Sequence, residues 1–308
     1  MPIWNMSFTP PDVIDATVLT RLPDEFRKPR QTEWTDANRG GRMVDSFIEG
    51  PVFDRAGNLF VVDIPYGRIF RISVDLKWSL VTEYDGWPNG LAIHKDGSIW
   101  IADYRHGILR MNPDTGKRET ILGHCNSESF KGINDLTFDA QGDLWFTDQG
   151  QSGLQDPTGR VYRMRTNGTL DCVINNVPSP NGLVVDDASK AIFIAATRSN
   201  SIWRGPIQSN GHVTKVAAFQ TFFGTSGPDG LALDNEGRLC MAHSSLAGVF
   251  VMDAKGNITQ FVKSNVGTVV TNLAYRPGTK QLVITESESS SILQVTLPGT
   301  GLPLYSHA

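Results

Sequence analysis

Three cysteines in 308 residues, Cys125, Cys172 and Cys240, are too few and too scattered for a disulfide framework, and their spacing fits no zinc template. Cys240 stands inside an apolar stretch and reads as a small core residue. Reduced thiols and a cytoplasmic setting are therefore expected. Long apolar runs are also missing. The longest are strand-length, far below the roughly 20 residues of a helical membrane span, so no membrane partner is expected. The opening stretch MPIWNMSFTPPDV has no basic segment followed by an apolar one, and so lacks the form of a secretory signal. Lys and Arg number 28 against 32 Asp and Glu, a net charge of −4. No basic stripe is present, which argues against nucleic acid as a partner. There is no G-x-S-x-G elbow, and no amphipathic helix of useful length is visible.

What the chain has instead is a repeat. Six segments begin at a polar residue, run through a short apolar strand to an Asp/Asn/Gly turn, and return through a second apolar strand. They read EGPVFDRAGNLFVVD from Glu49, NGLAIHKDGSIWIAD from Asn89 and NDLTFDAQGDLWFTD from Asn134. NGLVVDDASKAIFIAAT from Asn181, DGLALDNEGRLCMAH from Asp229 and NLAYRPGTKQLVITE from Asn272 complete the set. Successive starts are 40, 45, 47, 48 and 43 residues apart. That period is the signature of a β-propeller with one four-stranded blade per unit. The fold class is therefore all-β: a six-bladed β-propeller of antiparallel strands spanning residues 1–308 as one domain. The turns DRAG, HKDG, DAQG and DNEG carry residues that tolerate the left-handed backbone of tight hairpins.

The last unit has three strands, LAYRP, QLVITE and SILQVTL, and lacks an outer one. The spare strand is N-terminal, at about residues 14–23, and is expected to close the ring and cover an otherwise open edge. The charged segment at about 24–46 is too long for a hairpin and reads as a lid or a surface connection.

Residues that open the same strand in every blade recur around the central axis. Here they are Glu49, Asn89, Asn134, Asn181, Asp229 and Asn272, all oxygen-bearing. The second strands end on the same face, at Asp63, Asp103, Asp148, Thr197, His243 and Glu286, which suggests a second polar ring. Polar residues at strand starts also cap turns, so Asn89 or Asn272 alone implies little. Glu49 and Asp229 are different, because they break an Asn pattern with charge. Two buried carboxylates without compensation are costly. One divalent cation would resolve the cost, and carboxylate and amide oxygens select a hard ion: calcium foremost, magnesium or manganese next, with zinc less well matched.

EGPVFDRAGNLFVVDI, NDLTFDAQGDLWFTD, SPNGLVVD and GPDGLALDNEGRL resemble the motifs of the family named for senescence marker protein, gluconolactonase and luciferin-regenerating enzyme. The resemblance covers roughly residues 45–290. It implies a six-bladed propeller with one catalytic divalent metal on the axis, held by Glu49, Asn134, Asn181 and Asp229. Asp229 would also be the general base, and Asn134 would contact substrate. One departure stands out. Many sugar lactonases of the family carry Arg two residues before the Asn of N-D, where this chain has Gly132 preceded by Lys131. A different pocket is expected, drawn from Phe130, Lys131, Trp34, and Tyr66 or Tyr104, with Asn89, Asn134, Asp148, Lys131 and Tyr104 as substrate contacts.

The implied reaction is metal-assisted opening of a lactone ring, with the ion polarising the carbonyl. Asp229 would activate water, or a metal-bound water would attack directly, and His243, at the end of the second strand of the same blade, would relay a proton or hydrogen-bond the substrate. The substrate is then a small-molecule lactone or related ester, and the protein a monomer or small homo-oligomer. The same metal could also serve phosphotriesterase-like hydrolysis, or lyase or isomerase chemistry through an enolate. A non-catalytic interaction propeller would not need Glu49 and Asp229.

Overall fold

The structure is a computed structural model, and it describes residues 10–307. Six sheets form a ring of blades over residues 48–83, 88–122, 133–177, 180–221, 228–263 and 270–296. Within each blade the strands pair antiparallel in sequence order, from the inner strand outward. Repeated turns set the hairpins. In the first, the Asp54 carboxylate accepts the Asn58 N–H at 2.8 Å and Gly57 takes a φ of +83°.

The core is a set of seams rather than one central mass. Trp34, Phe60, Val62, Leu91 and Ile101 join blades 1 and 2, and Trp100, Ile133, Leu136 and Phe146 join blades 2 and 3. Trp145, Val161, Leu183 and Ile192 pack blade 3 on blade 4, and Phe193, Leu231 and Met241 pack blade 4 on blade 5. Cys240, Val249, Leu273 and Ile284 form the next seam, which makes Cys240 the core residue the sequence suggests. Leu22, Ile48, Phe53 and Val283 seal blade 6 to blade 1.

Closure is N-terminal, as the strand count requires. Strand β2 (Thr17–Arg21) pairs antiparallel with Ser291–Thr296, with Thr17 opposite Gln294 and Arg21 opposite Ser291. A second closing strand was not anticipated. Strand β1 (Asp12–Asp15) adds in parallel to Ile258–Lys263, the outer strand of blade 5. The N-terminal segment thus staples two blades.

The segment over 24–46 contains a short helix, α1 (Glu33–Arg39), capped by a Thr32–Thr35 box and ended by Gly40 at φ +59°. Seven residues with two apolar members leave no periodicity to read, which is why the sequence shows no helix here. Trp34 packs on Phe47 at 4.8 Å between ring centroids. The Tyr66 hydroxyl bonds the Val44 and Lys28 carbonyls, so the segment is fastened to blade 1. After the last strand, the chain crosses the opposite face. Leu302 N–H donates to Leu233 O at 3.1 Å, Tyr305 packs on His94 and Phe138, and His307 bonds Asp54 O at 3.1 Å. The axis is therefore covered on the side away from the starts of the inner strands. No described helix is long and apolar enough to cross a membrane.

Removing residues 1–21 deletes both closing strands and uncovers two edges. We expect Tm to fall by roughly 5–10 °C with loss of solubility. Unchanged melting and solubility would show that the ring closes without them.

Candidate functional site

Every inner strand carries a register shift where it opens. The shifts fall between Glu49/Val52, Pro88/Gly90, Ile133/Leu136, Pro180/Leu183, Pro228/Leu231 and Val270/Asn272. A bulge turns two successive residues to the same side, so each blade presents a pair to the axis rather than one residue. The register also corrects one assignment. Val270 pairs with Glu286 as Pro228 pairs with His243, which makes Thr271, not Asn272, the counterpart of Asp229 in blade 6. The opening ring is Glu49, Asn89, Asn134, Asn181, Asp229 and Thr271. The Asn in TNLAY and the Asn in PNGL look alike in sequence, but the conserved spacing to the following Leu separates them.

Asn272 belongs to the second position, with Gly50, Gly90, Asp135, Gly182 and Gly230. Asp135 and Asn272 thus face each other from opposite blades, and neighbouring glycines make room. A Cβ on Gly90 would lie 2.5 Å from Asp135 Oδ1, and one on Gly230 would lie 2.1 Å from Asn272 Oδ1. The blades carrying them also differ on the second strand. Thr147 Oγ1 accepts the Asp135 N–H at 3.0 Å and Thr285 Oγ1 accepts the Asn272 N–H at 2.9 Å, where other blades have Val or Ala. That paired departure from Gly and from Val/Ala was the available signal for Asp135, which sequence reasoning missed.

Asn272 Nδ2 donates to Glu49 Oε2 at 2.8 Å, and the Gly50 N–H bonds the same oxygen. Asn181 donates to Asp229, and its own carbonyl accepts Thr147 Oγ1 at 2.9 Å. Asn134 Nδ2 donates to Gln149 Oε1 at 3.0 Å, and Gln149 Nε2 in turn donates to Ser179 Oγ at 3.0 Å. With its nitrogen engaged, Asn134 keeps its amide oxygen free. Asn89 occupies the opening place of blade 2, half-buried.

Burial pushes the Glu49 carboxyl well above the usual range, and the Asp229 charge adds to it. Burial likewise raises Asp229, with Asp135 adding and Asn181, Arg198 and Arg39 opposing. Burial raises Asp135 to about 7. None of the three is in an ion pair among the described residues, whereas buried Asp63 has Arg68. Asp, Glu, His and Cys side chains do not converge in threes on any point among the described residues. A chelate here therefore needs amide oxygens, which Asn134 and Asn181 would supply. Glu49, Asp229, Asn134 and Asn181 would make an all-oxygen donor set whose two carboxylates have no ion pair among the described residues, a chemistry that fits a hard divalent ion.

The ends of the second strands are used differently from the second polar ring that the sequence suggests. Asp63 accepts Phe47 N–H at 2.7 Å, Asp103 accepts the Arg105 and His106 N–H groups at 2.8 and 2.9 Å, and Asp148 Oδ1 accepts Lys131 and Gly132 N–H at 2.7 and 2.9 Å. Glu286 bonds Val269 and Ser289 N–H. These acids hold loops, and Asp148 acts on the mouth through the 131–132 backbone. His243 is fully buried and neutral at physiological pH, lowered to about 4 by burial. Its Nε2 lies 3.1 Å from Asn200 Oδ1 and its Nδ1 accepts Ser245 N–H. With both ring nitrogens engaged, the geometry gives the expected proton relay no support. The next residue along, as strand alternation requires, is the one toward the mouth: Tyr104, Gln149, Arg198 and Ser244 in four of the blades.

Of the expected pocket residues, Phe130 packs edge-on against Phe146 and Tyr162 in the core, Trp34 is buried on the inner side of α1 against Phe47, and Tyr66 is buried beneath the 24–46 segment. Lys131 Nζ turns to Thr158 Oγ1 at 2.6 Å. Tyr104 alone of these aromatics is placed beside the ring. Its hydroxyl accepts Gln151 Nε2 at 3.0 Å. A cavity of about 620 Å³ lined by Ser98, Met111, Asn112 and Arg118 lies elsewhere, among turns and outer strands of blade 2, without the axial donors.

A carboxyl raised to about 7 holds its proton in the folded chain where the unfolded chain, near 3.9, has lost it. Its stabilising share is complete below the unfolded value and disappears as pH rises through about 7. In chelator, Asp135→Asn should therefore gain on wild type as pH rises. The variant should melt a few degrees higher at about pH 8 and show no gain at about pH 4.5. A difference in Tm that does not change with pH would contradict the assignment.

The model of the SMP-30/Gluconolactonase/LRE-like region matches residues 47–288. The chain is 30% identical over 257 residues to the lactonase Drp35 of Staphylococcus haemolyticus, covering 77% of each chain. It is 26% identical over 288 residues to the diisopropyl-fluorophosphatase of Loligo vulgaris, covering 83% of this chain and 91% of the relative. Among solved structures, the calcium-binding protein regucalcin of Agrobacterium tumefaciens superposes with a TM-score of 0.74 at 19% identity, covering 96% of this chain and 99% of that one. With its propeller fold and axial ring, this chain belongs to the SMP-30/gluconolactonase/LRE-like family.

Proposed function

We propose that this protein is a divalent-metal-dependent hydrolase that opens the ring of a small-molecule lactone or related ester. The observation that carries the reading is the buried pair Glu49 and Asp229, neither in an ion pair among the described residues, flanked by the amides of Asn134 and Asn181 where the inner strands begin. A bound divalent ion, calcium foremost, would polarise the lactone carbonyl and steady the charge that develops on its oxygen.

The chain's own residues then have distinct tasks. Glu49 is held by the Asn272 amide and the Gly50 N–H and acts as a fixed anionic ligand. Asn134 presents its oxygen because Gln149 occupies its nitrogen. Asp229 accepts the proton of the attacking water. Asn181, Arg198 and Arg39 favour its ionised form, against the burial and the Asp135 charge that oppose it. His243 positions the loop after blade 4 rather than moving protons.

Two substitutions separate holding from chemistry. Glu49→Gln should weaken ion binding and lower turnover, with partial recovery in excess ion. Asp229→Asn keeps an oxygen and the side-chain shape, yet kcat should fall by roughly 10²–10⁴ and stay low at saturating ion. Near wild-type turnover of Asp229→Asn in excess ion would make Asp229 a ligand only. Full activity in chelator would remove the metal from the mechanism. The relative from Loligo vulgaris gives reason to assay a fluorophosphate beside the lactones. Preference for the fluorophosphate would move the same site to substitution at phosphorus, with water attacking and fluoride leaving.

A further inference from the structure

The four blades that would hold the ion share a contact that the other two lack among the described residues. Strand pairing alone does not fix the ring residues. In blades 3, 4 and 5 the ladder runs from Ile133 to Leu136, from Pro180 to Leu183 and from Pro228 to Leu231, skipping Asn134, Asn181 and Asp229. In blade 1 it breaks just after Glu49. The backbone at these points has to be held from elsewhere, and the preceding blade holds it.

Each hold comes from one place, the residue that follows the partner of the strand opening. In blade 6 Glu286 pairs with Val270, and Ser287 follows. Ser287 Oγ donates to Ile48 O at 2.7 Å, just before Glu49. A carbonyl only accepts, so Thr271 Oγ1, 2.9 Å away, is the donor to Ser287. In blade 4 Ala196 pairs with Pro180, and Thr197 follows, with Arg198 beyond it. Thr197 Oγ1 donates to Pro228 O at 2.7 Å, just before Asp229. In blade 3 Gln149 Nε2 donates at 3.0 Å to the hydroxyl of Ser179, which leads into Asn181. In blade 2 the Tyr104 ring lies against Gly132, ahead of Asn134, where a Cβ would run into it.

The same place behaves differently ahead of the remaining blades. Ile64, ahead of blade 2 and Asn89, has no side-chain donor. Ser244, ahead of blade 6 and Thr271, donates to Ser226 Oγ at 2.7 Å and Gly227 O at 3.4 Å, both on the segment leading into its own blade. Residue type does not separate Asn89 from Asn134 and Asn181, and this contact does. The Thr197 and Ser287 bonds are buried. Loss of either hydroxyl leaves a carbonyl unpaired in the interior and frees the chain beside it to shift.

We infer that Thr197 and Ser287 are positioning residues of the ion site. Each hydroxyl fixes the carbonyl just ahead of a carboxylate ligand, Asp229 for Thr197 and Glu49 for Ser287, and so sets where the two charged donors meet a cation. The inference rests on the divalent-ion reading of the ring and names the residues that shape it.

The test titrates calcium by calorimetry into the chelator-stripped full chain, for wild type, Thr197→Val, Thr197→Ser, Ser287→Ala and Ser244→Ala. Melting in chelator establishes that each variant is folded. Thr197→Val and Ser287→Ala should each raise the Kd for calcium by about tenfold or more. Thr197→Ser keeps the hydroxyl and should restore wild-type affinity, and Ser244→Ala should bind as wild type does. A hydroxyl that served only the stability of the ring would lower Tm in chelator and leave the Kd where it was. A wild-type Kd in folded Thr197→Val or Ser287→Ala, or an equal loss in Ser244→Ala, overturns the proposal while the ion reading stands. If Thr197→Val does not fold, Ser287→Ala decides alone. A wild-type chain that takes up no calcium, magnesium or manganese overturns the ion reading and the proposal with it.

Discussion

Three carboxylates share one buried axis, and no described cation pairs with any of them. Glu49 and Asp229 stand in the ring that opens the inner strands, and Asp135 lies one residue deeper. Carboxylates crowded in a low-dielectric interior raise one another's proton affinity, and the alternative to holding protons is to hold a cation. Elsewhere several buried acids have an arginine partner, Arg68 at Asp63, Arg163 at Asp143 and Arg238 at Asp234, and Asp103, Asp148 and Glu286 stand apart from one another, each held by backbone N–H groups. The three axial acids lie close enough to raise one another and have no such ion pair among the described residues. That contrast is what turns a symmetric propeller into a candidate enzyme.

The rest of the architecture serves the same point. Bulges in all six inner strands turn two residues per blade inward, and glycines at four of the six second positions let blades approach closely. Asp135 and Asn272 fill the room those glycines leave, each with a Thr on the neighbouring strand to take its backbone N–H. The C-terminal segment covers the far side through Tyr305 and Leu302. Ring closure by β1 and β2 fixes the distance between blades 5, 6 and 1, and therefore between Asp229, Asn272 and Glu49. Stability of the ring and geometry of the site are thus one problem.

Much of this was legible in the chain. The period of the repeat and its Asp/Gly turns carried the fold, and the missing outer strand of the last unit carried the closure. Glu49 and Asp229 stood out because they broke a pattern. What was not legible followed from side-chain direction. A bulge shifts the register by one residue, so Asn272 looked like an opening residue when Thr271 was. Strand alternation sends Asp63, Asp103 and Asp148 into loop-holding hydrogen bonds and puts their successors at the mouth. Asp135 was hidden beside a more conspicuous Asn134. Helix α1 and β1 are too short for periodicity to show, and only packing against blades 1 and 5 makes them regular.

The central claim is that one divalent ion belongs among Glu49, Asn134, Asn181 and Asp229. Anomalous diffraction from crystals grown with manganese tests it without reference to any substrate. The account predicts one strong peak on the propeller axis, within about 2.6 Å of carboxylate oxygens of both Glu49 and Asp229 and of the two amide oxygens. A featureless axis at saturating manganese, or a peak held only by surface acids, would contradict it.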